Sequence, residues 1–123
     1  MIINIDFNSP QAIYIQLRNQ IVMGIAQDEL HDGDSLPSVR SLANTLGVNM
    51  HTVNKAYAML RNEGYLILDR RKGAIIQVEM ANKRDEMEKL NYNMHMIVAQ
   101  AICKGISREE MHAVIDEMYD RFT

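Results

Sequence analysis

A group of mostly polar residues follows Gly47 and begins a new segment of apolar periodicity. Its members are Asn49, Met50, His51, Thr52, Asn54 and Lys55. Asparagine amides bond adenine edges, histidine and lysine reach guanine acceptors, and threonine contacts phosphate or a thymine methyl group. These residue types therefore suit the reading of bases in a DNA major groove. A solvated helix start has a similar composition and is the alternative.

Cations lie on both sides of this group. Arg40 falls off the expected buried face of its segment and is a candidate for contact with phosphate or a base edge. A cationic run of Arg70, Arg71 and Lys72, followed by Gly73, suits contact with a DNA backbone or a narrow minor groove. The alternatives are a surface ion pair for Arg40 and a solubilising tip for the run.

The formal net charge of -3, taken alone, argues against a nucleic-acid-binding protein. Its distribution along the chain reverses that argument. From Ser35 to Ile76 the cations exceed the anions by four, which leaves -7 for the rest of the chain. Such segregation is expected where one surface meets phosphate groups and the others need only solubility. Chance clustering is the alternative interpretation.

Catalytic and metal chemistry find little support in this sequence. The histidines His31, His51, His95 and His112 are scattered, and none pairs with cysteine or another histidine at helical ligand spacing. A glycine-rich phosphate loop and a nucleophile motif are also missing. We therefore predict no enzyme and no cofactor. His95 and His112 are expected on a helix surface or a dimer interface, with a metal-sensing site across a dimer as the alternative.

Three helices and a hairpin are predicted to position the candidate residues. Helices over 9–27, 38–47 and 49–64 follow from apolar residues at helical spacing, from serine or asparagine caps, and from glycine stops. The last two, joined by a short glycine-containing turn, make a helix-turn-helix. The β-prone runs 65–68 and 74–78 flank a polar loop, which predicts a hairpin that serves as a wing.

Beyond Glu79 the composition changes, and from Ala81 two amphipathic helices are predicted. Ser107 to Glu110 forms a capping box between them. A segment of this size is too small for an independent core, so its apolar stripes need a partner, most simply a second copy. The predicted dimerisation residues are Met87, Leu90, Met94, Ile97, Ala101, Met111, Val114, Ile115, Met118 and Phe122.

Composition sets the remaining expectations. A chain of 123 residues with 47% hydrophobic and 24% charged residues is typical of one ordinary globular domain with at most a small second unit. No apolar run approaches the length of a membrane span, and the N-terminus lacks signal-peptide features, so we predict a cytoplasmic protein that does not contact a membrane. Cys103 lies in an apolar helical pattern and is predicted to be a buried structural thiol.

A family resemblance follows from these motifs. The run from Leu36 to Asn49, continued by Thr52 to Tyr57, Leu60, Glu63-Gly64-Tyr65 and Lys72-Gly73, resembles the N-terminal domain of GntR-family regulators. The resemblance covers residues 9–78 and spans cap, turn, recognition helix and wing in the family's order. The short two-helix tail resembles the YtrA subfamily, which lacks the large effector domains of other branches and dimerises through such helices.

The resemblance implies binding to a palindromic operator as a homodimer, usually as a repressor and often near transporter genes. By position, Ser38 and Arg40 match the family's contacts before the turn, and Gly73 matches the wing tip. The positions that match recognition-helix contacts are Asn49, His51, Thr52 and Asn54. Many relatives carry Pro-Asn where this chain has Met50-His51. A shared operator preference is therefore not expected.

The sequence thus predicts a mainly α fold with a small β-hairpin, organised as a winged helix-turn-helix over 1–79 and a two-helix dimerisation tail over 80–123. Expected partners are a double-stranded DNA operator and a second copy, with a small-molecule effector of unknown identity left open. The main rival is a winged-helix module that binds a protein through the same surface. A ligand- or metal-sensing enzyme remnant is the second rival.

Overall fold

The computed structural model describes residues 2–80 and 82–122. They form two compact units, one up to Glu79 and one from Met80. The predicted tail start at Ala81 lies outside the described residues. The elements are α1 (Ile13–Ala26), α2 (Val39–Leu46), α3 (Met50–Asn62), β1 (Leu66–Asp69), β2 (Gly73–Ile76), α4 (Lys83–Cys103) and α5 (Arg108–Phe122). The predicted class, mainly α with one hairpin, is confirmed.

Helix α1 begins at Ile13, later than the predicted start at Ser9-Pro10. The hydroxyl of Ser9 accepts a hydrogen bond from the Gln11 amide at 3.1 Å, within a turn that precedes the helix. The Gln16 side chain donates to the Gln11 carbonyl at 2.9 Å. These bonds satisfy the backbone before Ile13 without helical geometry, so the serine-proline pair does not act as a cap.

Two glutamines of α1 hold the N-terminal segment along the helix. Gln16 accepts from the Asp6 amide at 2.9 Å and donates to the Asp6 carbonyl at 3.0 Å. Gln20 pairs in the same way with the amide and the carbonyl of Asn4. Four helical residues rise about 6 Å and two extended residues span about 6.6 Å, so the two repeats match. The intervening Ile5 packs against the core.

The core of the first unit lies among α1, α2, α3 and the hairpin. Its largest fully buried side chains come from α1, α3 and both strands. Burial of one such side chain stabilises the fold by about 1.5–3 kcal/mol. These residues are Leu17, Ile21, Val53, Leu60, Leu66 and Ile76.

Local capping fixes the turn between α2 and α3. The Ser38 hydroxyl accepts from the Ser41 amide at 3.1 Å and so caps α2. Gly47 ends that helix with φ of 70°, a left-handed conformation that favours glycine. The Asn49 side chain accepts from the His51 amide at 2.8 Å and caps α3. The predicted helix-turn-helix is therefore formed by the residues expected to form it.

Strands β1 and β2 pair antiparallel, with Leu66 opposite Ile76 and Asp69 opposite Gly73. The loop before α2 extends this pairing, because Leu36 donates its amide to the Ala74 carbonyl at 2.8 Å. Ser35 also forms a bridge with Ile75. Hydrogen bonds therefore fasten the hairpin to the chain that enters α2.

The tail unit consists of α4 and α5. Its capping box is formed, because the Glu110 amide donates to the Ser107 hydroxyl and the Ser107 amide donates to the Glu110 carboxylate, both at 3.1 Å. Cys103 is exposed, so the prediction of a buried thiol is wrong. Two residues along a helix turn through about 200°, so Cys103 faces away from the side on which Ala101 is buried. Among the described residues, no helix is both long enough and apolar enough to cross a membrane.

Candidate nucleic-acid interface

Helix α3 separates a buried face from an exposed one. Val53 and Tyr57 point into the core, whereas His51, Asn54 and Lys55 are exposed. His51 and Asn54 are three residues apart and so lie on neighbouring positions of one helix face. The two side chains best suited to base recognition are thus presented together near the start of α3.

A shallow depression of about 680 Å³ surrounds this exposed face. Its lining joins α3 to the start of α2 and combines polar groups with the apolar Met50, which is 44% exposed. A mixed lining suits base edges, which present hydrogen-bonding groups beside thymine methyl groups. The lining residues are Val39, Asn49, Met50, His51 and Asn54.

Two of the predicted contacts already have structural partners, and a third is half-buried. The side-chain oxygen of Asn49 caps α3, which leaves its amide group for an external acceptor. Thr52 is half-buried. The Lys55 ammonium lies 4.1 Å from the centre of the Tyr14 ring of α1, a cation–π contact. These residues therefore flank the face on which His51 and Asn54 are exposed.

Ser38 and Arg40 are exposed at the start of α2. The Ser38 hydroxyl oxygen accepts the capping bond from Ser41, so its proton stays available to donate. Within residues 2–80 and 82–122, Arg40 forms no ion pair, and the alternative of a surface ion pair finds no support there. Its guanidinium is available to an external anion.

The wing carries its cations in the turn between β1 and β2. Arg70, Arg71 and Lys72 are exposed, and none forms an ion pair with a carboxylate in the part of the chain that the structure describes. Gly73 has φ of 77°, so it returns the chain to β2 in a conformation that favours glycine. The predicted cationic run is therefore an unpaired positive tip.

Asp69 was not among the predicted site residues. Its carboxylate accepts from the Arg71 amide at 2.7 Å and from the Lys72 amide at 3.0 Å. These two hydrogen bonds, with the nearby Lys72 charge as a smaller cause, lower the pKa of Asp69. The sequence signal was available, because an aspartate before a glycine-containing loop often bonds the backbone two residues on.

Comparison with known proteins assigns the family. The family described as bacterial regulatory proteins of the gntR family matches residues 11–76, which contain α1 to β2. This chain belongs to the GntR family.

The transcriptional repressor YtrA of Bacillus subtilis (strain 168) is 31% identical over 118 residues, which cover 94% of this chain and 91% of that protein. The structure of YtrA from Sulfolobus acidocaldarius, a GntR-family transcription factor, is 41% identical, with a TM-score of 0.64 over 78% of this chain and 99% of that one. A structure described as a transcriptional antiterminator from Listeria monocytogenes EGD-e matches all of this chain and 94% of its own, at 25% identity and a TM-score of 0.89. This chain is a YtrA-like, DNA-binding transcription regulator, and the family is not one of enzymes.

In this GntR domain an ion pair links the middle of α1 to Glu63, the residue that follows α3. The Arg18 guanidinium donates to both Glu63 carboxylate oxygens at 2.9 Å. It also lies 5.8 Å from the centre of the Tyr65 ring. The Glu63 hydrogen bond is the main cause that raises the pKa of Arg18. This cation has a structural role and is not available to DNA.

The histidines of this GntR chain do not form a metal centre within the described ranges. No group of three or more histidine, cysteine, aspartate or glutamate side chains in 2–80 and 82–122 is placed to hold a metal ion. His31 pairs with Asp28 at 3.0 Å in the loop after α1. The Nδ1 of His95 forms a hydrogen bond with the Asn91 carbonyl at 2.7 Å.

Proposed function

We propose that this GntR regulator binds a palindromic operator as a homodimer and represses transcription. The observation that supports this proposal best is the exposed pair His51 and Asn54, flanked by unpaired cations at Arg40 and at the wing. Base-reading groups between positively charged contacts are what an element inserted into a major groove requires.

The proposal divides the interface by role. His51 and Asn54 read base edges, and Met50 offers a methyl-sized apolar contact. Arg70 to Lys72 contact the DNA backbone or a minor groove, with Gly73 at the wing tip. The residues assigned to phosphate, sugar or supporting contacts are Ser38, Arg40, Asn49, Thr52 and Lys55.

Dimerisation is supported by the exposure of the tail's apolar residues. Of the ten predicted dimerisation residues only Ala101 is buried within one copy, and Met87, Leu90 and Ile97 remain 47%, 52% and 48% exposed. Exposed apolar side chains spaced like a heptad seam gain stability when a second copy covers them. A two-fold dimer would present two α3 helices to half-sites about 34 Å apart, which accounts for a palindrome.

Repression is supported by the relative that is named a repressor, YtrA of Bacillus subtilis, which matches nearly the whole chain. A promoter assay in a host that carries the operator upstream of a reporter tests the direction of regulation. Reporter output that falls as the protein is induced supports repression, and output that rises identifies an activator.

A small-molecule effector of unknown identity stays a prediction. A groove of about 360 Å³ lies between α4 and α5, with Arg108 and His112 beside an apolar lining. Four of its lining residues, Met94, Ala101, Met111 and Ile115, also belong to the proposed dimer seam. A partner copy would therefore compete with a ligand for this groove.

Fluorescence anisotropy tests the operator proposal. The purified protein is titrated into the duplex upstream of its own gene and into a scrambled duplex, over about 50 to 300 mM salt. We expect two chains per site, a steep salt dependence and a preference of about a thousandfold or more. Equal, weakly salt-dependent binding of both duplexes contradicts the proposal and favours a winged-helix module that binds a protein.

A further inference from the structure

The wing tip places three like charges in a tight turn. Arg70, Arg71 and Lys72 follow one another between the paired residues Asp69 and Gly73. Like charges repel one another in water at such short range, so neighbouring cations favour an open loop over a closed one. A closed tip therefore needs interactions that hold its backbone.

Asp69 supplies those interactions. A single carboxylate oxygen, Oδ1, accepts from the amides of Arg71 and Lys72, at 2.7 and 3.0 Å. The acid is fully exposed, and burial does not enforce this geometry. Nor does it form an ion pair with the three cationic side chains of the tip, which are unpaired among the described residues and can meet another anion.

The lowered pKa of the Asp69 carboxyl agrees with this geometry, because amide donors favour the charged acceptor. At neutral pH the group is therefore ionised and accepts both bonds at full strength. Gly73 completes the turn from the other side with its left-handed backbone. Asp69 and Gly73 thus define the backbone conformation of the turn that carries the three cations.

We propose that Asp69 is a positioning residue of the wing, which fixes the tip backbone so that Arg70, Arg71 and Lys72 meet the operator in one preset arrangement. This inference rests on the proposed function, since it assigns the wing a place on DNA. Removal of an anion beside a phosphate-binding run would ordinarily strengthen DNA binding, yet loss of the Asp69 acceptor weakens it.

Two substitutions separate the charge from the acceptor. Asp69→Asn and Asp69→Ala both remove the negative charge, but only asparagine keeps a side-chain oxygen in place. We expect Asp69→Ala to weaken operator binding about five- to tenfold, in line with the loss of one or two modest hydrogen bonds. Asp69→Asn is expected to stay within about twofold of the unsubstituted chain or to bind more tightly.

The protein used is the full chain, with the operator identified by anisotropy. Asp120→Ala is the matched control, because it removes an exposed acid from α5, opposite the side that carries Ile115. Arg71→Ala reports whether the wing contributes to binding at all. Amide hydrogen exchange in the free protein gives a second measurement, in which Asp69→Ala loses protection at Arg71 and Lys72 and Asp69→Asn retains it.

Equal affinity of Asp69→Ala and Asp69→Asn, while Arg71→Ala is weaker, overturns the inference and leaves the proposed function intact. Unchanged exchange at Arg71 and Lys72 in Asp69→Ala also overturns it. If the unsubstituted chain shows no operator preference, or if Arg71→Ala binds normally, the wing's assigned place on DNA fails and the inference fails with it. Weakening specific to Asp69→Ala, with loss of amide protection, supports the inference.

Discussion

At the scale of single residues, the wing and the start of α3 assign different chemistry to neighbouring side chains. Tyr57 and Val53 hold α3 in the core, and His51 and Asn54, on another face of the same helix, point outward. Arg18 is tied to Glu63, whereas Arg40 is unpaired among the described residues. The type of a residue alone does not separate these roles, and the helical face on which it lies does.

Alanine substitutions should divide into two groups. We expect His51→Ala and Asn54→Ala to reduce discrimination between operator and altered sequences by about 1–3 kcal/mol per lost base contact. Arg40→Ala and Arg71→Ala should weaken binding to every duplex and lower the salt slope by about one each. Anisotropy on operator and mismatched duplexes measures both effects. A uniform loss for all four variants would contradict this division.

Tyr57 offers a test of how α3 is anchored. Its hydroxyl donates to the Pro37 carbonyl at 2.7 Å, the ring is 3% exposed, and burial raises the pKa of the phenol. Tyr57→Phe leaves that carbonyl without its donor and should cost about 1 kcal/mol of unfolding free energy. Urea denaturation measures the change, with Tyr92→Phe, an exposed tyrosine, as the control. Equal stability of the two variants would show that the hydrogen bond from Tyr57 to Pro37 does not stabilise the fold.

At the scale of elements, the capping box makes the stability of α5 depend on pH. The Ser107 backbone amide, followed by the Ser107 hydroxyl interaction, lowers the pKa of Glu110 in the folded chain. A carboxyl group whose pKa is lowered in the folded state stabilises that state at pH values above its unfolded-state pKa, here 4.5. The contribution is lost as the pH falls through the folded-state pKa. The stability of the folded chain should therefore decrease in acid through this carboxylate.

Glu110→Gln tests this linkage. The variant should be less stable than the unsubstituted chain at neutral pH, and the difference should shrink as the pH falls below 4.5 and through the lowered folded-state pKa of Glu110. Unfolding free energies measured by urea denaturation between pH 7 and pH 3 give the comparison. Glu109→Gln, a neighbouring acid outside the capping box, is the matched control. A difference that persists unchanged in acid would contradict the linkage.

Elements with local signals were predictable, and those built from distant contacts were not. Caps at Ser38 and Asn49 act within three residues, so their spacing alone located α2 and α3. The backbone bonds that Gln16 and Gln20 make with the N-terminal segment join residues 10 to 16 positions apart, and neither propensity nor periodicity encodes them. Asp69 had a local turn signal, an aspartate before a glycine-containing loop, but it was not predicted as a site residue.

At the scale of the whole molecule, the two units differ in how far each buries its own apolar surface. The first contains a continuous core, whereas in the second Ala101 alone is buried among the described residues. Met87, Leu90 and Ile97 are about half exposed, and a second copy that covered them would stabilise this unit. This contrast was predictable, because the heptad spacing and the length of the tail were both readable from the sequence.

Association should be lost when the seam is charged or removed. Leu90→Glu in the full chain should shift sedimentation from two copies to one, because a charge buried at the seam is costly. Deletion of residues 81–123 should have the same effect, because it removes the seam. Operator affinity should fall strongly because two half-sites no longer bind as one unit. Tyr92→Glu, on another face of α4, is the control. If the truncated chain still dimerises, the dimer interface lies in the first unit and the assignment to the tail is wrong.

Helix α1 holds the beginning of the chain much as a receptor holds a peptide ligand. Gln16 and Gln20 bond main-chain atoms of Asp6 and Asn4, while Ile3 and Ile5 supply the apolar anchors. The exposed Asn4 position should therefore tolerate other side chains, whereas the Asp6 carboxylate accepts a hydrogen bond from the Asn8 amide at 2.9 Å. A chain that lacks residues 1–8 should therefore bind a synthetic peptide of that sequence in trans. Exchange of its Ile3 and Ile5 for serine should abolish the complementation, and exchange of its Asn4 should not.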